Sequence, residues 1–218
     1  MLELLARDLR LAGARGWGWT TGVLFFVLLA ASVAIALGGE AVALRAVGPG
    51  VLWAGLLIGV LLGATELFQA DIDNGALDQM RLKGLSLWQI AGARLCLLVV
   101  LNALPLALAT PLVAELFALP GEVSGRLMGA LVASAPALAG YGVLAGALSA
   151  RAGAGSLLGV LVTLPLLVPV IIFGSEVVSS EAASVWSSPE IRALVGLSLI
   201  GAVVGLAGAV AALGVNTE

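Results

Sequence analysis

Residues Ala193–Val215 read ALVGLSLIGAVVGLAGAVAALGV, 23 residues with no charged side chain and Ser198 as the one polar one. At about 1.5 Å of rise per residue, a helix of this length runs roughly 34 Å, enough to cross a hydrocarbon core of about 30 Å. A helix on the surface of a soluble domain would keep a polar face. This stretch has none, so it reads as a membrane span.

Five further runs have the same character: Thr20–Leu37, Pro49–Thr65, Trp88–Thr110, Leu127–Ser149 and Gly155–Phe173. The whole-chain figures agree. Of 218 residues, 61% are hydrophobic and 11% charged, where soluble domains hold about 45–50% and about 25%. Mean hydropathy is +1.16. The expected fold is therefore all-α and integral to the membrane, with six transmembrane helices forming a single domain over residues 1–218. The stretches between the runs are too short for a folded extramembrane domain.

Composition also closes routes to chemistry. The chain has no histidine and one cysteine, Cys96. That excludes His-based metal ligation, Ser-His-Asp and Cys-His nucleophiles and an intramolecular disulfide. The single lysine, Lys83, follows Leu82 rather than glycine, so no G-x-x-x-x-G-K-[ST] phosphate loop exists. A net charge of −3 gives no basic surface for nucleic acid.

Loop charges set the expected orientation. With the N-terminus inside, Arg7, Arg10, Arg15, Arg81, Lys83, Arg94 and Arg151 lie on the cytoplasmic side, and Arg45, Arg126 and Arg192 on the other. Both termini are then cytoplasmic. Ahead of the first span, Leu2, Leu5, Leu9 and Ala12 share one helical face and Glu3, Arg7 and Arg10 another, followed by Trp17 and Trp19. Residues 1–19 are expected to form an amphipathic interfacial helix.

Within the spans, glycines recur at spacing four: Gly55, Gly59 and Gly63; Gly142 and Gly146; Gly155 and Gly159; Gly201 and Gly205. Such stripes let backbones approach closely, either inside the bundle or across a dimer. Prolines interrupt the runs at Pro105, Pro111, Pro136, Pro165 and Pro169. The pair Pro165 and Pro169 marks the fifth span as the candidate bent or gating element. Glu66 follows the second span and Arg94 lies near the start of the third, so antiparallel geometry predicts a boundary ion pair between them.

The one concentrated polar stretch joins spans two and three, residues 69–87, reading QADIDNGALDQMRLKGLSL. Asn74-Gly75 punctuates it, and Ala76–Met80 is expected as a short cytoplasmic helix with an apolar side. In that reading Leu77 and Met80 enter a groove on a partner protein, while Asp71 and Asp78 make polar contacts at its rim.

Three stretches resemble the CcmB family, the heme exporter B proteins of cytochrome c maturation. Pro49-Gly50-Val51-Leu52-Trp53 is similar to its P-G-[IV]-x-W. Phe68, Asp71, Gly75, Leu77, Asp78 and Gln79 match F-x-x-D-x-x-x-G-x-L-[DE]-Q, with the basic residue Arg94 at the start of span three. Leu164-Pro165-Leu166, Pro169, Ile172 and Phe173 match L-P-L-x-x-P-x-x-I-F. Gly84 stands where that family often has proline, which predicts a looser turn leaving the loop.

The resemblance implies an ABC-2 type permease subunit in the bacterial inner membrane, with no ATPase site of its own. ATP would be hydrolysed by a separate subunit, CcmA, docked on the loop around Asp71–Gln79. CcmC and CcmD would complete the membrane complex, with a homodimer of this chain within it. Heme would be handled as cargo for the chaperone CcmE. Two other readings stand beside it: a generic ABC-2 exporter of lipid, glycan or drug, and a channel or carrier not driven by ATP. With no histidine, the remaining candidate heme ligands are Cys96, Tyr141, Met80 and Met128, and strong axial coordination by this subunit alone is not expected.

Overall fold

The structure, a computed structural model, describes residues 18–65, 67–152, 157–180, 186 and 188–214. The expected interfacial helix over 1–19 lies almost wholly outside these residues, as does Glu66. The described residues are helical with no strand. In order they form α1 (Gly18–Ala36), α2 (Ala41–Thr65), α3 (Gln69–Asp73), α4 (Ala76–Leu82), α5 (Leu87–Leu98), a π-helical turn (Val99–Ala103), α6 (Leu104–Ala114), a 3-10 turn (Glu115–Phe117), α7 (Gly121–Ala152), α8 (Leu158–Ser179) and α9 (Pro189–Gly214). Five stretches are long and apolar enough to cross a membrane, with α1 a shorter sixth. The third of the six crossings is the composite run Leu87–Phe117.

Several boundaries move outward from those read in the sequence. The second crossing starts at Ala41 rather than Pro49, and Pro49 sits inside the helix. Arg45 suits that extension, because its Nε donates to the Ala118 carbonyl at 2.9 Å and so straps α2 to the turn after the third crossing. The connection between the first two crossings shrinks to four residues, with Gly38 (φ 63) and Gly39 (φ 78) supplying the left-handed turn. At the far end, Ser188 Oγ accepts the Ile191 N–H at 3.3 Å ahead of Pro189, a hydroxyl cap followed by proline in the first turn of α9.

The long α7 is the central post. It touches α2, α5, α6, α8 and α9. Of its most apolar stretch 83% is buried within the chain, against 28% for α8 and for α9. The glycine stripes are part of this internal packing. A β-carbon on Gly59 would lie 2.9 Å from the Gly22 carbonyl oxygen, one on Gly146 would overlap the Ala64 carbonyl, and one on Gly205 would overlap the Gly140 backbone. Gly159 similarly abuts Ala145, and Gly201 faces Ala137 and Tyr141. These positions let helices of one chain approach closely, so they are not free to form a dimer seam.

The break in regular helix falls in the third crossing rather than the fifth. Helix α8 runs through Pro165 and Pro169 without interruption, and both prolines lie on its exposed face. In the third crossing, Pro105 has no N–H for the Leu101 carbonyl and its ring crowds that oxygen. The ladder widens to π geometry over Val99–Ala103 just before it, which relieves the clash. Pro136 in α7 has another remedy: the Ala137 N–H is taken by Ser198 Oγ of α9 at 3.0 Å.

Candidate coupling site

The segment between α2 and α5 folds onto the end of the bundle and brings its own core. Phe68, Leu77, Met80, Ile90, Leu98 and Leu213 belong to a cluster distinct from the larger one around Phe26, Trp53 and Phe117. Phe68, at the N-cap of α3, is fully buried. Leu77 and Met80 lie three apart on α4, so they share a face, and that face turns inward.

Asp71 and Arg94 are both buried, and Arg94 Nη2 donates to Asp71 Oδ2 in an ion pair between α3 and α5. Asp71 is a partner of Arg94 that the sequence reading did not name; Glu66, the expected one, lies outside the described residues. Removing one member of such a buried pair strands the other charge, at a cost of about 3–5 kcal/mol. The pair therefore fixes α3 to the base of the third crossing.

The turns are equally defined. Gly75, at φ 67, separates the two short helices and needs a glycine for its backbone rather than for space. At the end of α4, the Gly84 N–H donates to Arg81 O at 2.9 Å and the Leu85 N–H to Met80 O at 3.1 Å. With Gly84 at φ 85, this is a Schellman closure, and the half-buried Leu85 packs against the small core. The turn is pinned rather than loose, and proline, held near φ −65°, could not adopt it. Ser86 then caps α5: its Oγ accepts the Gln89 N–H at 3.2 Å while Gln89 Oε1 accepts the Ser86 N–H at 2.9 Å.

This arrangement divides the predicted site residues. Phe68, Asp71 and Leu77 are internal, with Met80 beside them, and Gly75 forms the bend. Asp78 and Gln79 face outward. Asp71, Leu77 and Met80, expected at a partner's groove and its rim, are buried within this chain. Two residues the sequence reading passed over hold the outer face instead. Leu82 is 89% exposed and Trp88 52% exposed, beside the exposed Lys83. A signal was present: Leu82 lies five residues beyond Leu77, about 140° round the helix from the inward face, with no apolar partner in the pattern.

A chain with this fold and this loop can be placed among known proteins. The family model for CcmB protein matches residues 1–216. The chain belongs to the CcmB family. Heme exporter protein B of Paracoccus denitrificans is 36% identical over 183 residues, covering 84% of both chains. The protein of the same name from Bradyrhizobium diazoefficiens is 35% identical over 214 residues, covering 96% of this chain and 95% of that one. The Rhodobacter capsulatus protein is 33% identical over 198 residues and 91% of each. The family's loop motif thus has two jobs here, an inner clamp and an outer face.

A second polar feature lies deeper. Asn102 is the one asparagine within a crossing, sits in the π turn, and is 2% exposed with no donor for its Oδ1 among the described residues. A β-carbon on Gly22 would lie 2.5 Å from Gly59 O and 3.3 Å from Asn102 Nδ2, so Asn102 adjoins the tightest contact of α1 with α2. As for heme-ligand candidates, Cys96 is half-buried on α5, Tyr141 is buried on α7, Met80 lies in the small core and Met128 is half-buried near the start of α7.

Proposed function

We propose that this chain is the multi-pass permease subunit of a heme export system serving cytochrome c maturation in a bacterial inner membrane, with both termini cytoplasmic. It takes mechanical work from a separate ATPase, CcmA. Support comes from the names of its relatives and, within the chain, from one observation above the rest: an outward face backed by a buried ion pair. Leu82, Asp78, Gln79 and Lys83 form that face on α4, and the Asp71–Arg94 pair anchors α3 beside it to the third crossing. A push there is passed to a fixed element rather than absorbed by a soft loop. Five residues past Arg94 the π turn begins, where the third crossing departs from regular helix.

The exposed faces of α8 and α9, the least covered crossings, are the surfaces assigned to the homodimer and to CcmC and CcmD. Delivery to CcmE follows on the opposite side of the membrane. Affinity purification of the tagged chain from its native membrane in mild detergent tests the reading. A nucleotide-binding subunit and cytochrome c maturation proteins are the expected companions. Recovery with an ATPase of an unrelated exporter, or with none, would contradict it.

A further inference from the structure

The coupling function leaves two of the family-like stretches unused, the one ending in Trp53 and the proline-rich one in α8. They meet. A cavity of about 420 Å³ opens between α2 and α8, lined by Pro49, Trp53 and Ala54 on one side and Ile171, Ser175 and Ser179 on the other. This falls within the roughly 300–1,000 Å³ range of small-molecule sites. It lies in the half of the bundle away from α3 and α4, since α2 runs toward α3 from Ala41 and α8 ends at Ser179.

Its walls have a particular chemistry. The Trp53 indole forms the back, 2% exposed, and is seated because position 174 is glycine: a β-carbon there would overlap Cζ2 of the ring. Its Nε1–H is buried with no acceptor among the described residues, a state that costs about 1–3 kcal/mol and is relieved if a ligand brings one. The hydroxyls opposite have already given their protons, Ser175 to Ile172 O and Ser179 to Ser175 O, both at 2.8 Å. The groove therefore offers an aromatic wall, aliphatic flanks and one N–H with no acceptor among the described residues. None of its lining residues is a cysteine, tyrosine or methionine.

We infer that this groove seats the apolar face of a porphyrin on its way through the permease, with the Trp53 N–H meeting a propionate oxygen and the iron left unligated by this chain. The inference rests on the heme-cargo reading above. A flat, apolar porphyrin face suits a groove whose walls are aliphatic and aromatic. The absence of iron ligands in the walls makes the seat one that releases its cargo.

Zinc protoporphyrin IX titrated into the full-length chain in lipid nanodiscs, corrected for uptake by protein-free discs, tests this through porphyrin emission. Ala54→Phe and Ser175→Phe fill the groove from opposite walls at exposed positions, and Leu108→Phe, on the exposed face of α6, is the control. Each filling variant should weaken binding about tenfold or more, equivalent to about 1.4 kcal/mol, with the control unchanged. Equal binding by wild type and both filled variants would overturn the groove and leave the cargo reading standing. No binding by the wild type would overturn both. Mass spectrometry supplies a third arm. A phospholipid held by the wild type, lost in Ala54→Phe and undisplaced by saturating porphyrin would give the groove to lipid and overturn the inference.

Discussion

At the α3–α4 end, Phe68, Leu77 and Met80 fill a core of their own and Asp71 grips Arg94; at the other end, a cavity of about 420 Å³ lies between α2 and α8. The first region is closed by directional interactions: a buried ion pair, a Schellman turn and a capping box. The second rests on shape, with a glycine making room for an indole. Two such unlike ends would let the proposed coupling and cargo roles be kept apart within one small chain. The end proposed for coupling is tied by an ion pair and capped turns, while the end proposed for cargo has room.

The comparison breaks most severely at Arg94. Arg94→Leu leaves the Asp71 carboxylate buried, so unfolding in detergent should show a loss of about 3–5 kcal/mol. Adding Asp71→Leu should restore most of it, because two apolar side chains replace two charges. A double variant no better than the single one would deny that the pair is a unit.

Next in size comes the packing that joins α7 to α9. Gly205→Leu forces a side chain onto the Gly140 backbone and should cost about 1–3 kcal/mol or more. Gly196 on the same helix has nothing within 4 Å, so Gly196→Ala should be neutral or gain up to about 1 kcal/mol. Thermal unfolding of the two variants side by side reads the contrast. The smallest effect is expected at the turn. Gly84→Ala, at φ 85, should cost about 1 kcal/mol, seen as a modest fall in unfolding temperature with helix content unchanged.

The all-helical membrane fold and the number of crossings were legible from apolar run length, because the bilayer imposes a length that few other environments demand. Boundaries were less so. Arg45 marked residues 41–48 as loop, whereas a long arginine can reach past the apolar zone to a backbone carbonyl, here Ala118. The π turn was out of reach although Pro105 was in view, since the pattern tells that a hydrogen bond is missing and not how the chain relieves it. Pro165 and Pro169 drew attention for the same reason, yet α8 continues through them. In the coupling segment the period of Leu77 and Met80 was visible, but periodicity names a face without naming what it faces. Only the fold shows that this face is spent internally and that Leu82 stands outside.

The contrast between the inner clamp and the outer face of α4 can be measured with one pair of variants. Leu82→Asp alters a residue that is 89% exposed, and Leu77→Asp one that is 9% exposed. Both would be purified with the partner ATPase, and unfolding temperature and ATPase recovery measured together. Leu82→Asp should keep the wild-type unfolding temperature and lose the ATPase, because the anchor goes and the fold does not. Leu77→Asp should lower the unfolding temperature, since a carboxylate is forced into the small core. Full ATPase recovery with Leu82→Asp, in a protein that unfolds as the wild type does, would contradict the account.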